Sequence, residues 1–499
     1  KNDRININHA KEYPLILLKE GNVICDYSYR KKQIKEKIHQ AAIKIKGMLI
    51  PNKKLLHEIT ALVEWPTILI GRFKKDFLSL PQSSIIYILE NIQKCFPVYT
   101  SSEKLMPYFI FVSNIKPKNL SNIIQGNEQV INSRLSDAQF FYTIDRKQPL
   151  ENYHIQLKKI IFYNQLGSMY EKTLRLKSLM IWFANKINLN LKKSIRAALL
   201  CKCDLITYMV SEFPDIQGYI GMEYALSDGE DPEIANAIRE HYYPAFSKDR
   251  LPNNPIACAL SIADKIDTII GMLLSDNYPK KNKDPFSLRR LSLSILKILI
   301  KKRIEIDLLE LIQQSIILYK NHKVKNSTIN NINNFFINRS IAFYKQQGLD
   351  PNIIQSVLAL NITRPIDIEH RISVISNLKH SDDLRLLIST NKRIINILEK
   401  SKFFKNKAIK KNLMTSDIEQ KLYTETNELN LFIQSNVSIK NYQKILHKAI
   451  KLCIPINYFF NNIIIKDQNP EIHFNRLSLL QYIKESFFKI ADFSYLHSF

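Results

Sequence analysis

The chain has 499 residues, 45% of them hydrophobic and 24% charged, which suits two to four domains with ordinary globular cores. Its 10 glycines form no GxGxxG or GxxxxGKS/T run, which excludes the common phosphate-cradling loops. The net charge of +26 permits a nucleic-acid partner, because Lys and Arg displace condensed counterions, but drift towards Lys, Ile and Asn accounts for it equally well.

The chain opens on Lys1 in mid-pattern, so an N-terminal segment is expected to be missing. Up to residue 145 strands and helices alternate. "ALVEWPTILIGRF" (61–73) and "YFIFVSN" (108–114) read as half-buried strands, and "CFPVY" with the polar "TSSEKLMP" suggests a hairpin into the second. "SSIIYILENIQKC" between them has helical spacing, so the region reads as α+β. From about residue 150 the periodicity is helical to the end. In "NNPIACALSIADKIDTIIGML", Asn254 is a helix cap and Pro255 the first helical residue. That helix is apolar on nearly every side and should be buried, so Asp264 and Asp267 need partners. In "DPFSLRRLSLSILKILIKKR", Asp284 and Pro285 are expected to start a second such helix. "KNHKVKNSTINNINN" (320–334) and "NITRPIDIEH" (361–370) are the linker candidates.

Six scattered cysteines form no CxxC pair, which points to reduced thiols, and Cys201 and Cys203 are expected inside one helix. No apolar run approaches the ~20 residues of a membrane span, and no secretory signal opens the chain.

"KCDLITYMVSEF" (202–213) places a carboxylate where a metal-dependent HD phosphohydrolase carries His-Asp, but the residues are Lys202, Cys203 and Asp204. Such a site needs an upstream His, the His-Asp pair and a later Asp around one ion. Residues 155–240 contain no histidine, so Asp204 and Asp264 supply carboxylates alone and Cys203 is the sole substitute ligand. Neither a catalytic metal nor phosphoester hydrolysis is expected. Asp204 and Asp264 then serve to fix the bundle through Lys202, Lys265 or helix N-termini, or face RNA.

Longer blocks carry a resemblance: "GNEQVINSRLSDAQFFYTIDRK" (126–147), "KCDLITYMVSEFPDIQGYIGMEYA" (202–225), "HYYPAFSKDRLPNNPIACALSIADKIDTIIG" (241–271), "TRPIDIEHRISVISNL" and "HFNRLSLLQYIKESFFKIADFS". Together they closely resemble the β subunits of bacterial heterotetrameric glycyl-tRNA synthetases, over essentially the whole chain. The resemblance implies a mainly α, multidomain protein. Residues 1–148 would be part of an α+β module similar to the editing-type domain of phenylalanyl-tRNA synthetase. A degenerate HD-like domain (149–310), a helical linker (311–365) and an anticodon-binding helical bundle (366–499) would follow. It also implies a cytoplasmic assembly of two α and two β chains. The α chain would hold the site for glycine, ATP and magnesium. This chain would bind tRNA(Gly) and no cofactor, metal, membrane or DNA, and would contribute no catalytic residue. The family's Asp-Gln-Lys-Tyr-Phe-Pro block reads Ile92-Gln93-Lys94-Cys95-Phe96-Pro97 here, which puts a polar role of that loop in doubt.

Amides and guanidinium planes suit unstacked RNA bases. Asn391, Lys392, Arg393 and Asn396 on one helical turn, and the pair Asn475 and Arg476, are therefore candidates for the anticodon, with Arg364 and Arg371 at the entrance. Arg393 and Arg476 are expected to read bases and Lys392 to meet phosphate, all as exposed cations with little bearing on stability. Lys202, Arg289 and Arg290 are candidates for the acceptor side; a solvated helix face is the alternative for the two arginines. A stand-alone phosphohydrolase and a non-enzymatic RNA-binding scaffold are the competing functions.

Overall fold

The computed structural model describes residues 5–115, 119–163, 166–280, 283–319, 326–401, 408–437 and 441–496, and most of them are helical. The chain divides into two compact units, residues 1–177 with 192–242, and residues 178–191 with 243–499.

In the first unit, helices α1 (Tyr27–Lys44) and α2 (Lys53–Leu62) begin where Asp26 and Asn52 accept the amides of Tyr29 and Leu55. They pack on an antiparallel sheet of β1 (Thr67–Arg72), β2 (Phe96–Tyr99) and β3 (Leu105–Ser113), in the order β1-β3-β2. Ile34, Ile38, Leu55, Ile59, Val98 and Ile110 form the core between them. The expected hairpin is β2–β3, with Phe96 opposite Ile110. The 61–73 strand is shorter than expected because its first residues finish α2. Gly71 on β1 is required, since a Cβ there would stand 2.3 Å from the Phe109 ring. Lys94, at φ +54°, pairs with Glu58 at 2.7 Å, and Cys95 is buried, so this loop is tied to the protein itself.

The unit continues through α3 (Leu120–Asp145), α4 (Leu191–Leu200), α5 (Tyr208–Glu212), α6 (Tyr219–Ser227) and α7 (Pro232–Glu240). Buried Asp145 joins three of these helices. Its carboxylate accepts the amides of Tyr208 and Met209 at 2.9 and 3.0 Å, and the Tyr224 hydroxyl at 2.9 Å. Cys201 and Cys203 do not share a helix as expected. The helix ends at Leu200, and Cys203–Ile206 is a 3-10 turn, because Thr207 caps a new helix by accepting the Val210 amide.

The second unit holds α8 (Pro255–Leu274), α9 (Leu288–Lys301), α10 (Leu308–Ile317), α11 (Asn326–Gln346), α12 (Pro351–Leu358), α13 (Pro365–Asn377), α14 (Asp382–Lys400), α15 (Asp417–Val437), α16 (Tyr442–Asn462) and α17 (Pro470–Phe488). Helix α8 is buried nearly all round and capped by Asn254, as its sequence predicts. Asp267 accepts the Tyr319 hydroxyl at 3.0 Å, and Lys265 donates to the Tyr243 carbonyl and Ser261 at 3.0 and 2.7 Å. Asp284 does cap α9, taking the amides of Leu288 and Arg289. Ser287 lies at φ +54°, however, so the helix starts three residues later than Pro285. Of the two linker candidates, residues 320–325 lie outside the described residues and 326–334 are helical. The second candidate is helical from Pro365, leaving 361–364 as the connection. Helices α13 to α17 enclose one core that includes Leu387, Ile394, Leu429, Ile456 and Leu480.

Candidate RNA interface

The bundle sorts the anticodon candidates by burial. Arg371 is buried: its guanidinium donates to the carbonyls of Lys489 and Ile490 at 2.6 and 2.7 Å, just past α17, and lies 4.4 Å over the Tyr442 ring. It serves as a C-cap for that helix. Arg476 is buried too. Its Nε meets Glu419 at 2.5 Å, Nη1 meets Asp467 and the Ile464 carbonyl at 2.8 Å each, and Nη2 reaches Thr415 at 3.2 Å. Asn475 grips the Lys410 backbone from both sides, accepting its amide at 2.9 Å and donating to its carbonyl at 3.1 Å. Asn391 is 4% exposed on the core side of α14. Arg371, Arg476 and Asn475 hold the bundle together through these bonds. Their polar groups face inward because buried amides and charges need partners, which the sequence alone does not locate.

Lys392, Arg393 and Asn396 do point outward from α14. The Arg393 guanidinium lies 4.4 Å over the ring of Phe460 on α16, and the residue is exposed. Asn457 donates to Thr390 at 3.2 Å and ties the two helices beside it. Helix α16 supplies residues that the sequence reading missed. Lys444, His447, Lys451, Ile454 and Tyr458 are exposed and recur at steps of three and four, which puts them on one stripe at 100° per residue. With Lys448, the basic half lines a groove of about 680 Å³. Asp383 also lines that groove, and Lys448 stands 3.9 Å from Glu428, so the patch is basic on balance. The other half presents Ile454 at 67% and Tyr458 at 58% exposure, large for side chains of their kind. Cations thus run into an isoleucine and a tyrosine along one face of α16. The signal was present in "KILHKAIKLCIPINYFF", whose basic residues keep helical spacing.

The remaining candidates divide in the same way. Lys202 is buried, not RNA-facing: its ammonium donates to His241 Nε2 at 2.8 Å and lies 4.2 Å over the Tyr242 ring. His241 Nδ1 is 2.7 Å from the Ile238 carbonyl, so both ring nitrogens are engaged. His241 stands one residue beyond the histidine-free interval and was missed for that reason. Cys203 is buried and bonds the Leu199 carbonyl. Asp204 is fully buried, and its Oδ2 accepts the Gly218 amide at 2.5 Å, while Oδ1 has no hydrogen-bond partner among the described residues. Gly221 must lack a side chain, because a Cβ would approach Asp204 Oδ2 to 2.9 Å. Burial pushes the Asp204 carboxyl up to about 6, with the Gly218 amide and Lys202 opposing it. Asp264 lies in the other unit. Arg289 is half-buried and donates to the Lys280 carbonyl at 2.6 Å, whereas Arg290 is exposed. Arg364 is exposed, 3.7 Å from Asp307.

Comparison with known proteins gives the family of the chain. The pattern of the family described as "Glycyl-tRNA synthetase beta subunit" matches residues 1–359. That of the "DALR anticodon binding domain" matches residues 387–492, from the second turn of α14 past α17. The "Glycine--tRNA ligase beta subunit" of Buchnera aphidicola subsp. Acyrthosiphon pisum (strain 5A) is 45% identical over 499 residues, covering 100% of this chain and 72% of the relative. The protein of the same name from Buchnera aphidicola subsp. Schizaphis graminum is 46% identical over 509 residues, with the same coverage. That of Klebsiella pneumoniae subsp. pneumoniae is 40% identical over 490 residues, covering 98% of this chain and 71% of its own. With a family match over more than half its length and relatives this close from end to end, the chain belongs to the glycyl-tRNA synthetase beta subunits.

Proposed function

We propose that this chain is the tRNA-gripping, non-catalytic subunit of a glycine–tRNA ligase. Its C-terminal bundle holds the anticodon loop of tRNA(Gly) on exposed residues of α14 and α16. Lys444, Lys448 and Lys451 neutralise backbone phosphates there, His447 offers a ring nitrogen to hydrogen-bond beside them, and Arg393 and Tyr458 stack on unpaired bases. The observation that carries the reading is the exposed stripe of α16, on which a basic ridge runs into an exposed tyrosine inside the domain matched as anticodon-binding, with exposed Arg393 on neighbouring α14.

A separate α chain supplies the site where glycine and ATP-magnesium react, two copies of each chain assemble, and the complex works in the cytoplasm. Within this chain, residues 1–148 form an α+β module, 149–310 an HD-like region and 311–365 a linker ahead of the bundle. Coexpression with the α chain, followed by glycylation assays, tests the division of labour. Neither chain alone should charge tRNA, and the copurified pair should. Glycine-dependent ATP–pyrophosphate exchange by this chain in isolation would overturn it.

A further inference from the structure

The first unit carries a groove edged by amides, cations and rings. Gln33, Lys37, Gln40 and Lys44 follow one another on α1 at steps of four, three and four residues, which sets them on a single face. With Tyr29 and Trp65 they line a groove of about 590 Å³ between α1 and the start of β1. Tyr29 is 53% exposed, and its hydroxyl accepts from the Gln33 amide at 2.8 Å, which fixes the ring at the rim. Two neighbouring lysines are committed to the protein, Lys31 to His57 at 2.7 Å and Lys94 to Glu58 at 2.7 Å, whereas Lys32, Lys35, Lys53 and Lys54 are exposed but do not line this groove. Lys37 and Lys44 are exposed, and among the described residues neither pairs with a carboxylate. They stand seven residues apart, about 10.5 Å along the helix at 1.5 Å per residue, too far to share one phosphate.

We propose that this groove holds an unpaired strand of the bound tRNA outside the anticodon loop, with Lys37 and Lys44 on two separate phosphates. The proposal rests on the reading of the chain as a tRNA-binding subunit. The rings of Trp65 and Tyr29 favour a single strand, because a duplex hides the base faces on which they would stack. Gln40 between the cations, and Gln33 one turn before Lys37, offer both donors and acceptors to base edges. A protein partner fits less well, since lysine is depleted from the buried centres of protein interfaces.

The test uses the full chain assembled with its α partner and unmodified tRNA(Gly). Binding is measured against salt for wild type, Lys37→Ala/Lys44→Ala and Trp65→Ala, with Lys444→Ala/Lys451→Ala as the comparator in the bundle. The first double variant should shallow the log–log salt slope by about 1.4, from about 0.7 per single-strand phosphate. Trp65→Ala should weaken tRNA binding about tenfold with little change of slope, and Trp65→Tyr should restore most of the affinity. Neither change should alter affinity for an isolated anticodon stem–loop. Unchanged slope and affinity in the Lys37/Lys44 variant, while the bundle variant still weakens binding, would overturn the groove and leave the subunit reading standing. Failure of both variants to weaken binding would overturn the underlying reading as well. Loss of the copurifying α chain, with RNA affinity per complex retained, would make the groove a protein interface and refute the proposal.

Discussion

Replacing Arg476 by alanine separates a structural strut from a base reader. The guanidinium uses four contacts inside the bundle, and the partner at its Nε, Glu419, has a side chain only 2% exposed. Removing the arginine leaves that carboxylate buried with its countercharge gone, which costs about 3–5 kcal/mol. Asp467 adds little to the loss, because its side chain is 28% exposed and regains water. Against a typical domain stability of about 5–15 kcal/mol, that is a large share. Arg476→Met/Glu419→Leu should recover most of it, since well-packed apolar residues often replace a buried ion pair at no net cost. Hydrogen exchange of the α17 amides, measured without tRNA, reads the stability of the bundle directly. Arg393→Ala is the control and should cost about 1 kcal/mol or less, the scale of an exposed cation–π contact. Wild-type protection in Arg476→Ala, together with lost preference for one anticodon base, would refute the structural role.

Three further outcomes follow from the same geometry. Lys444→Ala/Lys451→Ala should shallow the salt dependence of tRNA binding by about 1.4–1.8 in log–log slope, at about 0.7–0.9 per phosphate, and an unchanged slope would remove the ridge from the interface. Burial holds the Asp204 carboxyl at about 6 against an ordinary 3.8, so its stabilising contribution is full below pH 3.8 and is lost as pH rises through about 6. Asp204→Asn should abolish that loss, on the order of 3 kcal/mol at 1.36 kcal/mol per pH unit, read as the change in exchange protection of the first unit between pH 4 and 7; a parallel profile would count against it. Burial also pushes the thiols of Cys95 and Cys453 up to about 12, whereas Cys25 is half-exposed, so iodoacetamide at pH 8 should modify Cys25 well before either. Equal labelling rates in the folded protein would contradict this.

Local signals in the sequence proved reliable where a single residue decides a single bond. The Asn254 cap, the β2–β3 hairpin and the burial of α8 were all legible, because caps, turns and apolar periodicity act over a few residues. Burial of polar residues was not legible. Arg476 and Asn475 look like surface groups beside Lys392 and Arg393, yet their partners lie 57 and 65 residues away. Lys202 gave the same illusion, because its partner His241 is 39 residues on. The exposed stripe of α16 could have been found from its helical spacing, but the apolar residues interleaved with it disguise it as core. The start of α9 was misplaced because the left-handed Ser287 interrupts what Asp284 and Pro285 would otherwise begin.

The most direct measurement is the affinity of the isolated tRNA(Gly) anticodon stem–loop for the assembled protein, in wild type and in Arg393→Ala/Tyr458→Ala. Each lost stack on a base is worth about 1–3 kcal/mol, so the double variant should bind at least tenfold more weakly while keeping its melting temperature. Full affinity for the stem–loop in that variant would contradict the assignment of these α14 and α16 residues to the anticodon.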